Sequence, residues 1–420
     1  MSDMMSRESK KDRLRSRIIT TNASPGHGED SEEIVSQARR RVRRRYLIIL
    51  LAILILITIG AILLYWYQRS WQYKEGTVGW ERQFERDEAG FVDYEAFGEN
   101  LLRYSKDGAS YIDASGKDIW VEAYQMRTPI TAVNGDYAAI ADQQGNSIYI
   151  FDKNGLLGIA TTVLPVIKIT ISSKGLVAAI LEGQTTSHIY YYTKEGTEMK
   201  VYLTGFLNGE IGYPLDISLS PDGNLLMGSF TYLRGGEVRN RVAFYNFSEV
   251  GKNVPDRFVG GFHEMYGNSM IPRVCFLDSI HSVAFADSSI SFYSSLDVMS
   301  PVLLKQVPVE DEIRTVFYNS QYAGVVVRDV SGEYDSRLDL YSSEGNHIFS
   351  QPFSFDYEHV DIDGDYIFLY NESSCRIYNR FGNLKYEGTF DFPVSKLTCG
   401  RLPNQVIAAG PQAVKEIKLH

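Results

Sequence analysis

The feature that most constrains the fold is a short strand-like segment that recurs eight times after residue 76. Each copy is rich in Tyr, Phe and Ile, and most are followed by a polar turn. The copies are residues 110–114 (SYIDA), 148–152 (IYIFD), 189–193 (IYYYT), 242–246 (VAFYN), 290–294 (ISFYS), 338–342 (LDLYS), 376–380 (RIYNR) and a degenerate 414–418 (VKEIK). A repeat of about 40 to 50 residues built from strands is typical of propeller blades.

Each copy belongs to a larger unit of strands. Two strands precede it, such as residues 130–133 (ITAV) and 137–141 (YAAIA), and a fourth follows the turn, such as 118–122 (DIWVE). The eighth unit ends after its third strand and leaves an unpaired edge. Residues 77–84 (TVGWERQF) are strand-like and belong to no unit, so we expect them to pair there and close a ring. The sequence predicts an all-β, eight-bladed β-propeller over residues 77–420, with seven blades as the alternative.

One turn carries a resemblance to a known repeat. Residues 113–120 (DASGKDIW) resemble the aspartate, glycine-lysine and tryptophan signature of quinoprotein-type (PQQ-like) propeller repeats. The resemblance implies that Trp120 docks one blade on the next. The layout of the whole chain is also similar to an uncharacterised clostridial family of single-pass envelope proteins with an extracytoplasmic propeller.

An apolar run precedes the repeats. Residues 47–64 are almost entirely apolar, with Arg43, Arg44 and Arg45 before them and Tyr65, Trp66 and Tyr67 after them. Eighteen residues extended through the aromatics span about 30 Å of hydrocarbon. The run begins too far into the chain for a cleaved signal peptide. We expect a transmembrane helix over residues 46–67 and a linker over 68–76. Because arginine stays on the cytoplasmic side, the C-terminal domain should be extracytoplasmic.

The charge balance changes sign at the apolar run. Residues 1–45 hold twelve Lys or Arg and seven Asp or Glu, whereas the rest of the chain holds thirty and forty-five. The tail is polar, so we expect it to be mostly disordered, with a short helix from Ser31 to Arg44. Its arginines should bind anionic lipid of the bilayer. A cytoplasmic partner for the tail is the less favoured alternative, and no nucleic-acid partner is expected.

Motifs for chemistry are scarce in this sequence. Cys275, Cys375 and Cys399 are odd in number and lack metal-ligand spacing, so we expect three free thiols, with one disulfide pair as the alternative. The adjacent cysteines of many quinoprotein dehydrogenases are missing, so a quinone is not expected, and no motif indicates another cofactor. Residues 361–365 (DIDGD) could suggest a calcium loop, but the matching positions of other units are hairpin turns. We therefore predict no metal site and no catalytic residues.

Long insertions indicate where a partner could bind. They are residues 205–214, 232–241, 255–272 and 329–335, all expected on one face of the propeller. The residues expected to contact a partner are Tyr232, Arg234, Arg239, His263, Tyr266, Glu333 and Tyr334. The favoured function is a non-catalytic binding or scaffold module for an envelope protein or glycan. The alternative is a hydrolase or lyase of envelope polysaccharide with a site near the central channel. A sensor is disfavoured because the tail lacks a recognisable output domain.

Overall fold

The computed structural model describes residues 28–84, 92–207, 209 and 211–420. The chain divides into two compact units, one ending at Ser70 and the other running from Trp71 to His420. The N-terminal unit contains a helix, and the C-terminal unit is built from strands.

The helix α1 spans Gly28–Ser70. It contains a candidate membrane span, Val42–Tyr67, whose length and apolar composition suit a bilayer. Arg45 and Tyr65 border the apolar part, and twenty residues at about 1.5 Å each place them about 30 Å apart along the helix. The helix expected from Ser31 to Arg44 is present, since α1 runs through it into the apolar run. Residues 1–27, the other part of the predicted disordered tail, lie outside the described residues.

The C-terminal unit consists of eight four-stranded antiparallel sheets, which we number as blades I to VIII. Blade I contains β2 (Val92–Phe97), β3 (Asn100–Ser105), β4 (Gly108–Ile112) and β5 (Asp118–Ala123), and blade II contains β6 (Pro129–Asn134), β7 (Tyr137–Asp142), β8 (Ser147–Asp152) and β9 (Gly155–Thr161). Blade III contains β10 (Val166–Ile171), β11 (Val177–Glu182), β12 (Ser187–Tyr192) and β13 (Glu198–Gly205). Blade IV contains β14 (Tyr213–Leu219), β15 (Leu225–Arg234), β16 (Glu237–Asn246) and β17 (Phe258–Phe262). Two 3₁₀ turns, Val250–Asn253 and Pro255–Arg257, precede β17.

Blades V to VIII repeat the same arrangement. Blade V contains β18 (Arg273–Phe276), β19 (His281–Ala286), β20 (Ser289–Ser294) and β21 (Val302–Pro308), and blade VI contains β22 (Ile313–Tyr318), β23 (Tyr322–Arg328), β24 (Ser336–Ser342) and β25 (His347–Phe353). Blade VII contains β26 (His359–Asp363), β27 (Tyr366–Tyr370), β28 (Ser374–Asn379) and β29 (Leu384–Thr389). Blade VIII contains β30 (Lys396–Cys399), β31 (Gln405–Ala409) and β32 (Ala413–Leu419) together with β1 (Gly76–Gln83).

The first strand closes the ring. β1 pairs antiparallel with β32 from Gly76 opposite Leu419 to Gln83 opposite Ala413, which gives blade VIII its fourth strand. The expectation of an eight-bladed propeller closed by residues 77–84 is therefore confirmed, with the strand beginning one residue earlier. Because every closing contact lies within Trp71–His420, the propeller is a complete ring without the helix.

The core consists of apolar layers between neighbouring blades. Middle strands carry small residues that are buried on both faces, as at Ala138 and Ala139 of β7, because each sheet is covered by a blade on either side. Aromatic side chains fill the wider outer part. Trp120 of blade I stacks on Phe151 of blade II with ring centroids 4.9 Å apart, the docking contact expected for this tryptophan.

The two ends of the ring differ in the connections that they carry. One end, which we call the turn face, holds the turns between first and second strands and between third and fourth strands. The other, the loop face, holds the connections between second and third strands and between blades. Residue Tyr73 enters the propeller at the turn face, where its amide donates to the Lys385 carbonyl at 2.7 Å. The hairpin turn predicted within residues 361–365 lies there, at Gly364-Asp365 between β26 and β27.

Candidate functional site

The most prominent feature of the loop face is the long hairpin of blade IV. β15 and β16 have ten residues each and meet in a two-residue turn, Gly235-Gly236, in which both φ angles are positive. β14 pairs with β15 only as far as Thr231, and β17 reaches β16 only at Val242. Residues 232–241, which we call the blade IV ribbon, therefore project beyond the sheet by about 10 Å at 3.3 Å per residue.

Connections on both sides hold the ribbon in place. On one side, the Leu233 amide donates to the Leu207 carbonyl at 2.9 Å, and Arg241 Nη2 donates to the Ile211 carbonyl at 2.6 Å. On the other, buried Asn240 donates from its amide to the Gly267 carbonyl at 3.2 Å and from Nδ2 to the Asn268 carbonyl at 3.2 Å. An isolated two-stranded ribbon is marginally stable, so these bonds make it a rigid platform.

The ribbon carries three of the predicted contact residues. Arg234 is exposed beside the glycine turn, and half-buried Arg239 pairs with Glu237. The ring of half-buried Tyr232 lies 5.5 Å from the Arg241 guanidinium. Sequence reasoning missed the apolar neighbours: Val238 is 50% exposed, and Phe206 and Leu207 lie exposed beside a cavity of about 400 Å³ lined by Thr185 and Thr186.

Two more predicted contact residues, His263 and Tyr266, lie in the connection between blades IV and V and differ in exposure. His263 is exposed, whereas Tyr266 is only 4% exposed and hydrogen-bonds through its hydroxyl to the hydroxyl of buried Tyr293. Tyr266 is therefore a core residue, and we do not place it on the surface. The insertion expected over residues 255–272 is also split, because β17 lies inside it: Pro255–Arg257 lies at the turn face, and only residues 263–272 reach the loop face.

Glu333 and Tyr334 lie apart from the ribbon, in the blade VI loop of residues 329–335. Both are exposed. Tyr334 lines a cavity of about 730 Å³ between this loop and the connection to blade VII, whereas the ribbon belongs to blade IV. The predicted set therefore forms two groups on one face, with blade V between them.

The central channel contains a cluster of charges on the inner strands. Lys396 Nζ lies 3.2 Å from Glu95 Oε2 and 3.2 Å from Asp361 Oδ1, joining blades I, VII and VIII. Burial raises the pKa of Glu95 above its ordinary value, despite the opposing attraction of Lys396. The pKa of Lys396 is also raised, because attraction to the two carboxylates outweighs the desolvation that lowers it. Asp361 further accepts a hydrogen bond from the Tyr370 hydroxyl at 2.6 Å.

The thiols lie in the strands of the propeller. Cys275 and Cys375 are buried, Cys399 is half-buried, and all three are free, as predicted. Burial raises the pKa of Cys375 to about 12, which keeps that thiol protonated and unreactive at neutral pH. Within the described ranges, no group of three or more His, Cys, Asp or Glu is arranged to hold a metal ion.

Comparisons with known proteins place the chain by fold and family. BamB from Moraxella catarrhalis is similar with a TM-score of 0.50 at 11% identity, covering 82% of this chain and all of that one. Sqt1 from Chaetomium thermophilum gives 0.53 at 11% identity over 82% and 99% of the two chains. Sqt1 bound to the N-terminus of ribosomal protein L10 gives 0.51 at 11% identity over 78% and 92%. At this identity the likeness shows the fold alone.

The sequence comparisons identify a family without an assigned activity. No curated protein matches the chain. The model of a family of unknown function, DUF5711, matches residues 69–419, which include the whole propeller. The chain belongs to this family.

Proposed function

We propose that this protein is a membrane-anchored, extracytoplasmic β-propeller that binds a partner protein of the bacterial cell envelope through its loop face, without catalysing a reaction. Helix α1 would span the membrane with Arg43, Arg44 and Arg45 on the cytoplasmic side. The exposed Tyr65, Trp66 and Tyr67 would lie at the opposite interface. The clostridial origin suggested by the layout of the chain is part of this proposal.

The blade IV ribbon is the observation that carries the binding function. A rigid projection reduces the entropy lost on association, because its backbone is already ordered before a partner arrives. The ribbon carries exposed Val238 and the charged Arg234, and exposed Phe206 and Leu207 lie in the connection beside it. Buried aromatic side chains and arginine provide much of the binding energy in protein interfaces, and Phe206 and Arg234 are residues of these two kinds. A protein therefore fits this surface better than a glycan does.

The solved relatives support a binding propeller at the level of the fold. One Sqt1 structure holds the N-terminus of ribosomal protein L10. A propeller of similar architecture can thus present its surface to a protein segment. The partner proposed here would instead belong to the cell envelope.

Photocrosslinking in intact cells tests the proposal with the full-length chain. A photoreactive amino acid is placed at Val238 or at Phe206, both exposed around the ribbon. The control position is Glu344, which is exposed at the turn face of blade VI. We expect the same protein adduct from Val238 and from Phe206 and not from Glu344. Adduct formation should also be lost when Arg234→Glu is added.

Two results would contradict the proposal. Equal labelling from Glu344, or different adducts from Val238 and Phe206, would exclude the ribbon as a specific interface. Compartment is tested separately with a protease added to intact cells. Protection of the propeller from digestion, with loss of protection after membrane rupture, would refute the extracytoplasmic placement.

One observation favours the enzymatic alternative, an envelope polysaccharide hydrolase or lyase. A general acid at neutral pH needs a raised carboxyl pKa, and Glu95 has one. Its ion pair with Lys396 gives it a structural role instead. Cell-wall glycans incubated with the purified protein would separate the two functions, since turnover that disappears in Glu95→Gln cannot come from a binding module.

A further inference from the structure

The loop face becomes strongly acidic from the end of blade V to the start of blade VII. Three consecutive connections on this arc carry carboxylates, and we call the arc the acidic sector. Its acidic residues are Glu310, Asp311, Glu312, Asp329, Glu333, Asp335, Asp356 and Glu358. Arg314, Arg328 and Arg337 are basic residues of the same connections and the adjoining strand ends, and Arg337 Nη2 pairs with Asp311 Oδ2 at 3.0 Å. The excess of carboxylates gives this arc a negative potential, which attracts cations.

The larger cavity lies inside the acidic sector. Its volume of about 730 Å³ falls within the range of about 300–1,000 Å³ typical of ligand sites. Its lining contains both aromatic rings and carboxylates: Tyr334, Phe355 and Tyr357 with Asp329, Asp335, Asp356 and Glu358, beside Arg314 and Arg328. Rings and carboxylates together suit a flat organic cation better than a neutral or anionic molecule.

Several polar groups of the cavity already have partners inside the protein. Arg314 Nη1 donates to Ser336 Oγ at 3.1 Å. Asp329 accepts from the Ser331 hydroxyl at 2.6 Å and from the Ser331 amide at 3.2 Å. These hydrogen bonds lower the pKa of Asp329, so this carboxylate stays ionised at neutral pH.

Phe355, which lines the cavity, already contacts a guanidinium of the protein itself. The Arg376 guanidinium lies over the Phe355 ring at 5.2 Å from its centroid and donates to the Ser354 carbonyl at 3.0 Å. Stacking on a ring combined with a hydrogen bond to a nearby oxygen is how proteins recognise arginine. Tyr334, on the exposed loop, supplies a further ring to the lining.

We propose that this cavity binds a basic segment of the partner protein by receiving an arginine side chain between Tyr334 and the carboxylates of Asp356 and Glu358. This inference rests on the proposed function, because it names the chemistry of a segment that the loop face would bind. The volume exceeds that of one side chain, so neighbouring residues of the segment enter as well. The cavity and the ribbon would contact different parts of the same partner.

The probe is a fluorescent tetra-arginine peptide, titrated into the purified propeller of residues 71–420 at physiological ionic strength. This part is a closed ring and a compact unit. Tetra-glutamate and an N-acetylglucosamine tetramer are titrated in parallel. We expect saturable binding of tetra-arginine alone, with a Kd that rises with salt because the contacts are electrostatic.

The variants locate the binding site. Asp356→Asn with Glu358→Gln should raise the Kd at least tenfold, and Tyr334→Ala should raise it severalfold through loss of the ring. The matched control is Glu99→Gln with Glu344→Gln, which removes the same charge from exposed positions on the turn face. This control should leave the Kd unchanged. Urea midpoints equal to that of the unmodified propeller would show that the variants fold.

The inference is overturned if the control raises the Kd as much as the cavity variants do, because tetra-arginine would then be attracted by the net charge of the propeller and not by the cavity. Binding of the N-acetylglucosamine tetramer in place of tetra-arginine would assign the cavity to a glycan and also overturn it. The two proposals fail separately. If the ribbon adduct forms in cells while tetra-arginine binding is absent, the inference is wrong and the proposed function stands.

Discussion

Arg82 of β1 joins the last blade to the first, so its removal should weaken ring closure. Its Nη1 and Nη2 atoms donate to the two carboxylate oxygens of Asp118 in β5, at 2.9 and 2.6 Å. Nη1 also donates to the Gly116 carbonyl at 2.9 Å, and the guanidinium lies 4.7 Å from the centre of the Phe84 ring. We consider the variants Arg82→Ala and Asp118→Ala and their combination.

The magnitude follows from the geometry and the exposure of the pair. An exposed ion pair contributes about 0.2–1 kcal/mol, and a bidentate arginine lies at the upper end of that range. The Arg82 and Asp118 side chains are 28% and 30% exposed, which leaves part of their attraction screened by water. We expect a coupling energy of about 1 kcal/mol. Arg82→Ala should cost about 2 kcal/mol, since it also loses the backbone hydrogen bond and the ring contact.

Urea denaturation of the propeller measures both quantities. The coupling energy is the change in the free energy of unfolding of the double variant minus the sum of the changes in the two single variants. A matched control is Arg376 with Glu387, a 3.0 Å pair with 23% and 50% exposed side chains that lies within blade VII. A coupling at Arg82 below about 0.3 kcal/mol would refute the argument that this bidentate pair reinforces the closing seam.

Three further substitutions test the packing of the blades and the channel charges. Gly382→Ala should destabilise the propeller by about 1–3 kcal/mol, because φ is +81° and an added Cβ would lie 2.7 Å from the Phe349 ring; Gly332→Ala, at φ +79° in open space, should show the backbone strain alone. Lys396→Met should cost about 2–3 kcal/mol at neutral pH, since it leaves the channel carboxylates unpaired. Burial raises the pKa of Glu95, so the folded protein binds the Glu95 proton more tightly than the unfolded chain does. Protonation of Glu95 therefore stabilises the folded protein at low pH, and this stabilisation is lost as the pH rises through the folded pKa. The urea midpoint deficit of Lys396→Met should therefore be smaller at about pH 5 than at about pH 8, and an equal deficit at both would contradict the channel assignment.

The architecture could be predicted from the sequence because it depends on counting. Eight copies of one strand, a missing last partner and a spare strand near Trp80 define a closed ring without any knowledge of side-chain contacts. The turn at Gly364 was predictable for the same reason, since equivalent positions in other repeats share one local geometry. Periodic local signals are the information that a repeat protein places directly in its sequence.

The assembly of the blade IV platform could not be predicted in this way. The ribbon depends on Asn240, whose partners are backbone groups of Gly267 and Asn268 in the next connection. An asparagine in a polar loop gives the same sequence signal whether it is exposed or buried. Length identified the insertions, but only tertiary hydrogen bonds show that three of them form one surface.

Tyr266 shows a related limit of reading loops as surface. A tyrosine within a connection between blades is expected to be exposed, yet its ring packs between blades IV and V in a cluster with Ile271 and Tyr293. Apolar residues spaced along the connection, such as Met265 and Ile271, were a signal that one side of it is buried. Loops of this length often carry their own small core.

The two proposed contact regions lie on other blades than the closing seam, so binding and stability can vary independently. The seam joins blades VIII and I through Arg82, whereas the ribbon and the acidic sector are built on blades IV to VII. In a repeat array each blade contacts its neighbours, so stability is close to a sum of local and nearest-neighbour terms. Substitutions on the exposed connections, such as those at Val238 or Asp356, therefore change the binding surface without loosening the seam. A propeller of this kind can acquire a new partner by altering its loops while the closing contacts stay constant.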